Sequence, residues 1–167
     1  LKQCVGFAPI AAPDARLLIL GTLPSVASLR QAEYYAHPQN CFWWIMGHLV
    51  GAAPDLPYSQ RAQRLRQSGI ALWDVCRAAR RVGSSDANIQ SPVPNDFPVF
   101  FADHPRIELI CFNGQPAEKL FRRAVQPISL PTRTLDSTSP ANARISRMEK
   151  LARWRAALAP ILDLNER

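Results

Sequence analysis

A chain of 167 residues, 47 % hydrophobic and 20 % charged, is long enough for one sizeable core and too short for two, and its composition excludes a disordered protein. No apolar run reaches the length of a membrane span and no signal-peptide pattern opens the chain, so a cytoplasmic protein is expected, nucleoid-associated if the source is bacterial. The formal charge of +7 comes from 20 Lys and Arg, 17 of them Arg, against 13 acids. Guanidinium forks match phosphate oxygens in pairs, which makes nucleic acid the leading partner class.

In chain order, "RLLILG" over 16–21 is a continuous apolar run of buried-strand type, followed by helical patterns over about 40–50 and 58–68. "IALWDV" over 70–75 is a second such strand. Residues 82–105, rich in turn formers and proline, read as a long surface connection with one short helix near 95–103. "IELICF" over 107–112 is a third strand, 114–124 a helix, and "ISLPTRTL" from 128 a weaker strand whose Pro131 places it toward a sheet edge. A last helix is expected from about 140 to 159. The alternation predicts an α/β fold, a three-layer α/β/α sandwich around a short parallel sheet of about four strands, in a single domain over 1–167.

Cys4, Cys41, Cys76 and Cys111 lie about 35 residues apart with no CxxC pair, and His37, His48 and His104 have no HxxxH spacing. The reading is buried, reduced thiols and neither metal nor cofactor.

In such a sheet the functional site lies at the carboxyl ends of the strands, which selects four loops: "GTLPS" (21–25), "WDV" (73–75), "FNG" (112–114) and "DSTSPANAR" (136–144). The first runs on into "YYAHPQNCFWW" over 34–44. Consecutive residues of a helix point about 100° apart, so Tyr35, Phe42, Trp43 and Trp44 cannot all face one core. Flat rings for stacking and amides that donate and accept at once are what a nucleobase requires. Asn40 is equally suited to the start of a helix, and Asn113-Gly114 to an ordinary turn. In the last loop Ser139 is expected as N-cap and Pro140 as first helical residue, giving an anion site that Arg144 and Arg147 extend.

Taken in order, "GTLPS", "YYAHPQNCFW", "LWDV", "FNG" and "STSPANA" resemble the uracil-DNA glycosylase superfamily over roughly residues 5–160, and within it the branch of hypoxanthine-DNA (deoxyinosine) glycosylases. The resemblance implies a monofunctional enzyme that flips a deaminated base out of double-stranded DNA and hydrolyses its glycosidic bond, working as a monomer. It implies Asn40 and Asn113 as catalytic amides, with Gly21, Thr22, Tyr35, Phe42 and Asp74 around the base. Ser25, Ser137, Thr138, Ser139, Pro140, Ala141, Asn142, Arg144 and Arg147 are implied as the DNA contacts. Two departures bear on substrate. Leu23 stands where the mismatch-specific relatives carry a catalytic Asn, and the last loop lacks the histidine of the uracil-specific enzymes. The competing readings are a mismatch-type uracil or thymine glycosylase and a non-catalytic module that binds damaged DNA. Lys2, Lys119 and Lys150 lie on none of the four loops, so no lyase step is expected.

Overall fold

The computed structural model describes residues 2–164. A four-stranded parallel sheet is built from β2 (Leu17–Gly21), β3 (Ile70–Asp74), β6 (Leu109–Asn113) and β7 (Thr132–Leu135), in the order β3-β2-β6-β7. Two of the apolar runs of the sequence form the inner strands β2 and β6, the third forms the edge strand β3, and the segment carrying Pro131 leads into β7 at the opposite edge, as expected.

Alternation along β2 divides the core in two. Leu17 and Ile19 pack with Phe42, Ile45 and Met46 of α2 (Phe42–Val50), Leu65 of α3 (Tyr58–Gln67) and Trp154 and Leu158 of α6 (Arg147–Leu162). Leu18 and Leu20 face the other way, against Phe97 and Phe100 of α4 (Phe97–Asp103) and Ala117 and Phe121 of α5 (Gln115–Ala124). Strand side chains alternate between faces, so a run without polar residues requires a helical layer on each side, and both layers are present. The α/β sandwich read from the sequence is the fold. No helix of the described residues is long and apolar enough to cross a membrane, and the four cysteines are free and buried.

Two expectations are corrected. Residues 82–105 are more than a connection. Strand β5 (Gln90–Pro94) pairs antiparallel with β4 (Cys76–Arg81), which pairs antiparallel with β1 (Lys2–Val5) in a second, three-stranded sheet. The sequence conceals it because β5 is an edge strand exposed along most of its length, where Pro92 and Pro94 are tolerated, and because the β4–β5 register shifts twice. The last helix begins at Arg147, not Pro140. Ser146 is its N-cap, accepting from the Glu149 N–H at 3.2 Å. Ser146-x-x-Glu149 has the spacing of a capping box, the signal that marks the true start.

Candidate active site

The strands of the parallel sheet end side by side at Asp74, Gly21, Asn113 and Leu135. The four loops selected from the sequence start there, and each is fixed by identifiable contacts.

Above Gly21 two side chains converge. A Cβ on Gly21 would lie 2.6 Å from Asp74 Oδ1 and 2.7 Å from the Tyr35 hydroxyl oxygen, so only glycine admits both groups. Tyr35 has φ of 53°, a left-handed conformation that non-glycine residues hold at a cost of about 1–3 kcal/mol when their surroundings fix it. Here the fixing contact is Phe42, whose ring stacks on Tyr35 with centroids 4.3 Å apart. Phe42 itself has no exposed surface, which corrects its reading as a direct base contact: it backs Tyr35 instead. Tyr34 and Trp43 also turn inward, Tyr34 donating to Ala8 O and Trp43 Nε1 to Tyr34 O. Of the crowded rings, Tyr35 and Trp44 remain half-buried at the site.

The Tyr35 hydroxyl and Asp74 Oδ2 are buried without hydrogen-bond partners. Burial pushes the Asp74 carboxyl up to about 7, Asp86 pushes the same way, and Arg81 opposes both. Burial and then the Asp74 charge raise the Tyr35 phenol, while the Asn113 side chain acts in the opposite sense. Around pH 7 Asp74 is therefore divided between its acid and ionised forms, beside a phenol that stays neutral.

Asn113 and Thr138 form a reciprocal pair. Asn113 Nδ2 donates to Thr138 Oγ1 at 2.9 Å, and the Thr138 N–H donates to Asn113 Oδ1 at 3.0 Å. The Thr138 carbonyl accepts from the Cys41 N–H at 3.1 Å and from Cys41 Sγ at 3.6 Å. Thr138 is thus the knot joining β6, the last loop and the 34–44 segment. At 1 % exposure it cannot meet DNA, which corrects its reading as a DNA contact. Asn113 keeps one N–H and one lone pair beyond the knot. Gly114, at φ 96°, lets the last loop close over it, since a Cβ there would lie 3.0 Å from Ser137 Cβ.

Asn40 Oδ1 accepts from the Phe42 N–H at 3.0 Å, so the side chain does help start α2. Its second lone pair and its amide N–H groups remain for a ligand. Asn40 lies in a cleft of about 670 Å³ lined also by Tyr35, His37, Trp44, Asn142, Arg147 and Lys150. That volume falls within the range of small-molecule sites. The Arg147 guanidinium sits 4.6 Å over the Trp44 ring. Ser139 and Asn142 shape the last loop, accepting from the Ala141 N–H and donating to Ser137 O, while Pro140, Ala141 and Arg144 are exposed on it. Ser25 is engaged as the N-cap of helix α1 (Val26–Gln31), through Ser28 N at 3.1 Å.

Three residues escaped the sequence reading. Lys150 lies on no loop, yet it is buried and reaches the cleft from α6, its Nζ donating to Ser139 O at 3.4 Å. Arg81 and Asp86 lie behind Asp74 in the second sheet and its loop. A second cavity, about 640 Å³ and lined by Phe101, Ile107, Val125 and Ile128, lies at the amino ends of β6 and β7 and holds none of the loop residues.

A model of the uracil DNA glycosylase superfamily matches residues 8–160. The chain is 36 % identical over 152 residues to a protein named hypoxanthine DNA glycosylase from Methanosarcina acetivorans, covering 90 % of this chain and 95 % of that one. A protein of the same name from Methanosarcina barkeri is 33 % identical over 146 residues, covering 87 % and 92 %. The fold matches the solution NMR structure of a provisionally assigned uracil DNA glycosylase from Methanosarcina acetivorans with a TM-score of 0.80, at 35 % identity and covering 96 % and 99 % of the two chains.

Proposed function

The chain belongs to the uracil DNA glycosylase superfamily, and from that premise we propose that it is a monofunctional DNA glycosylase that removes hypoxanthine from double-stranded DNA. It acts as a single-domain monomer without metal or cofactor and leaves an abasic site. The name carried by the two Methanosarcina relatives supports the choice of base. The observation that carries the reading is the convergence of Tyr35 and Asp74 over Gly21, beside a cleft that contains Asn40.

Excision breaks the bond between the base nitrogen and C1′ and passes through a sugar with oxocarbenium character. In the proposed arrangement the nucleotide leaves the stack, at a cost of a few kcal/mol that is smallest for a mispaired base. Tyr35 supplies the stacking face, held rigid by Phe42. Asp74 and the remaining hydrogen-bonding capacity of Asn113 meet the edge of the base. Asn40 orients the attacking water through the free lone pair of Oδ1. An amide is too weak a base to take the proton, so its contribution is orientation. Arg147 and the exposed 140–144 segment approach the backbone phosphates.

Single-turnover base release from duplexes carrying one hypoxanthine or one uracil tests the proposal. Faster release of hypoxanthine is expected. Release of uracil alone would assign the protein to the mismatch-type enzymes, and tight binding without release of either base would make it a binding module.

A further inference from the structure

Among the described residues, three buried side-chain polar atoms lack a hydrogen-bond partner: the Tyr35 hydroxyl, Asp74 Oδ2 and Arg81 Nη1. Tyr35 and Asp74 meet over Gly21, and the charge of Arg81, on β4, acts on Asp74. Arg81 is 2 % exposed and anchored by Nε to Gly83 O at 2.8 Å and by Nη2 to Pro24 O. Asp86 stands in the adjacent 3₁₀ turn (Asp86–Asn88), where its Oδ1 accepts from Thr22 Oγ1 at 2.6 Å. The turn is held further by the Val26 N–H donating to Ser84 Oγ at 2.9 Å. Both carboxyl groups therefore feel the Arg81 charge inside the protein, and of the two only Asp86 receives a hydroxyl donor.

We propose that Asp86 is a positioning residue for base recognition: fixed by Thr22, it claims the negative charge of this cluster and leaves Asp74 as a carboxylic acid that offers a flipped base an O–H donor and a C=O acceptor together. The inference rests on the glycosylase reading. Its chemistry follows from the donors present. With both groups ionised the cluster carries a net negative charge away from water, which is costly. With one proton bound it is neutral, and the proton belongs on the carboxyl that has no donor. Burial raises the Asp86 carboxyl too, but the Thr22 O–H and the Arg81 charge oppose that rise, whereas Asp74 Oδ2 has no donor. The charged and titratable groups around Asp74 fit this assignment. Asp86 favours its protonated state and Arg81 opposes it, while Tyr34, Tyr35 and Cys76 feel the Asp74 charge and are all held neutral by burial.

A lactam edge, N–H beside C=O, is complementary to a carboxylic acid: its carbonyl accepts the acid O–H while its N–H donates to the acid carbonyl. An ionised Asp74 has no donor for that carbonyl and repels it. Hypoxanthine presents such an edge, and uracil does too, so the device selects deaminated bases as a class and leaves their size to the rest of the pocket.

The test has two arms, neither of which needs turnover. In the first, the Asp74 carboxyl carbon is titrated by ¹³C NMR in wild type, in Asp86→Asn, which keeps an acceptor for Thr22, and in Thr22→Val, a second variant should the first fold poorly. The wild-type midpoint is expected near neutral pH, and both variants are expected to lower it by a pH unit or more. An ordinary carboxylate midpoint in wild type, or no movement in either variant, overturns the proposal. In the second arm, affinity for a duplex carrying 2′-fluoro-deoxyinosine, which resists cleavage, is compared with that for the undamaged duplex at pH 6 and 8.5. The wild-type preference is expected to fall tenfold or more between them and to be lost at lower pH in Asp86→Asn. In Asp74→Asn it is expected to be independent of pH, whether or not Asp86→Asn is added. A titration that moves while the preference does not would also overturn the proposal. Failure to release base would refute the glycosylase reading and leave both arms able to decide this one.

Discussion

Replacing Asp74 by Asn is expected to stabilise the protein, and to do so increasingly as the pH rises. Asn is nearly isosteric and cannot ionise. The wild-type carboxyl titrates near 7 when folded, against 3.8 for an unperturbed Asp. A folded pKa above the unfolded one means that the folded state binds the proton more tightly. Stability is therefore highest below the unfolded pKa, falls as the pH rises through the window from about 4 to about 7, and is level above it. At about 1.4 kcal/mol per unit, the full fall is about 4 kcal/mol, of which about 3 kcal/mol lies between pH 5 and 8. Asp86 is present in both proteins, so its own titration cancels to first order. Urea unfolding of wild type and Asp74→Asn at pH 5, 6.5 and 8 measures the difference directly. The advantage of Asn should grow by roughly 3 kcal/mol across that range. A difference that is flat with pH, or that shrinks as the pH rises, would refute the claim that Asp74 is buried as an acid.

Gly21→Ala drives a methyl group into Asp74 Oδ1 and the Tyr35 hydroxyl, both held in packed surroundings. It should lower single-turnover base release by about 100-fold through displacement of the recognition groups, while costing only about 1–3 kcal/mol in thermal unfolding. Asn113→Ala removes both partners of the Thr138 knot and should destabilise by about 2–5 kcal/mol in urea unfolding. Hydrogen-exchange protection should then be lost first at the Thr138 and Cys41 amides. Borohydride treatment during base release should trap no enzyme–DNA adduct, although Lys150 reaches the cleft. An adduct that disappears in Lys150→Ala would establish a lyase step.

The sheet was legible because β2 and β3 are buried along their whole length. Residues 17–20 and 70–72 contain no polar side chain that would obscure the pattern. The loops followed from the rule that ligands meet the carboxyl ends of parallel strands, and Gly21, Asp74 and Asn113 do terminate neighbouring strands. Local sequence could not show how side chains are divided among tasks. Thr138 looks like a surface residue in "STSPANA", yet its N–H, hydroxyl oxygen and C=O are all used inside the protein. Phe42 and Tyr35 have similar rings, and only the left-handed backbone at Tyr35 sends one to the site and the other behind it. Arg81 sits in "CRAARR", where one arginine is buried and two are exposed, a division that the period of a strand does not reveal. The start of α6 was readable, but Ser139-Pro140 competes with Ser146-x-x-Glu149, and the turn from Ser139 to Asn142 settles the choice.

The central claim is that this cleft performs hydrolysis at C1′ with Asn40 orienting the water. Its most direct test is single-turnover release of hypoxanthine from duplex DNA by wild type and Asn40→Ala at equal saturation, with binding measured alongside. The account predicts that release falls by about 100-fold or more while affinity for the hypoxanthine duplex stays within a few-fold. Release that persists at the wild-type rate in Asn40→Ala would contradict it.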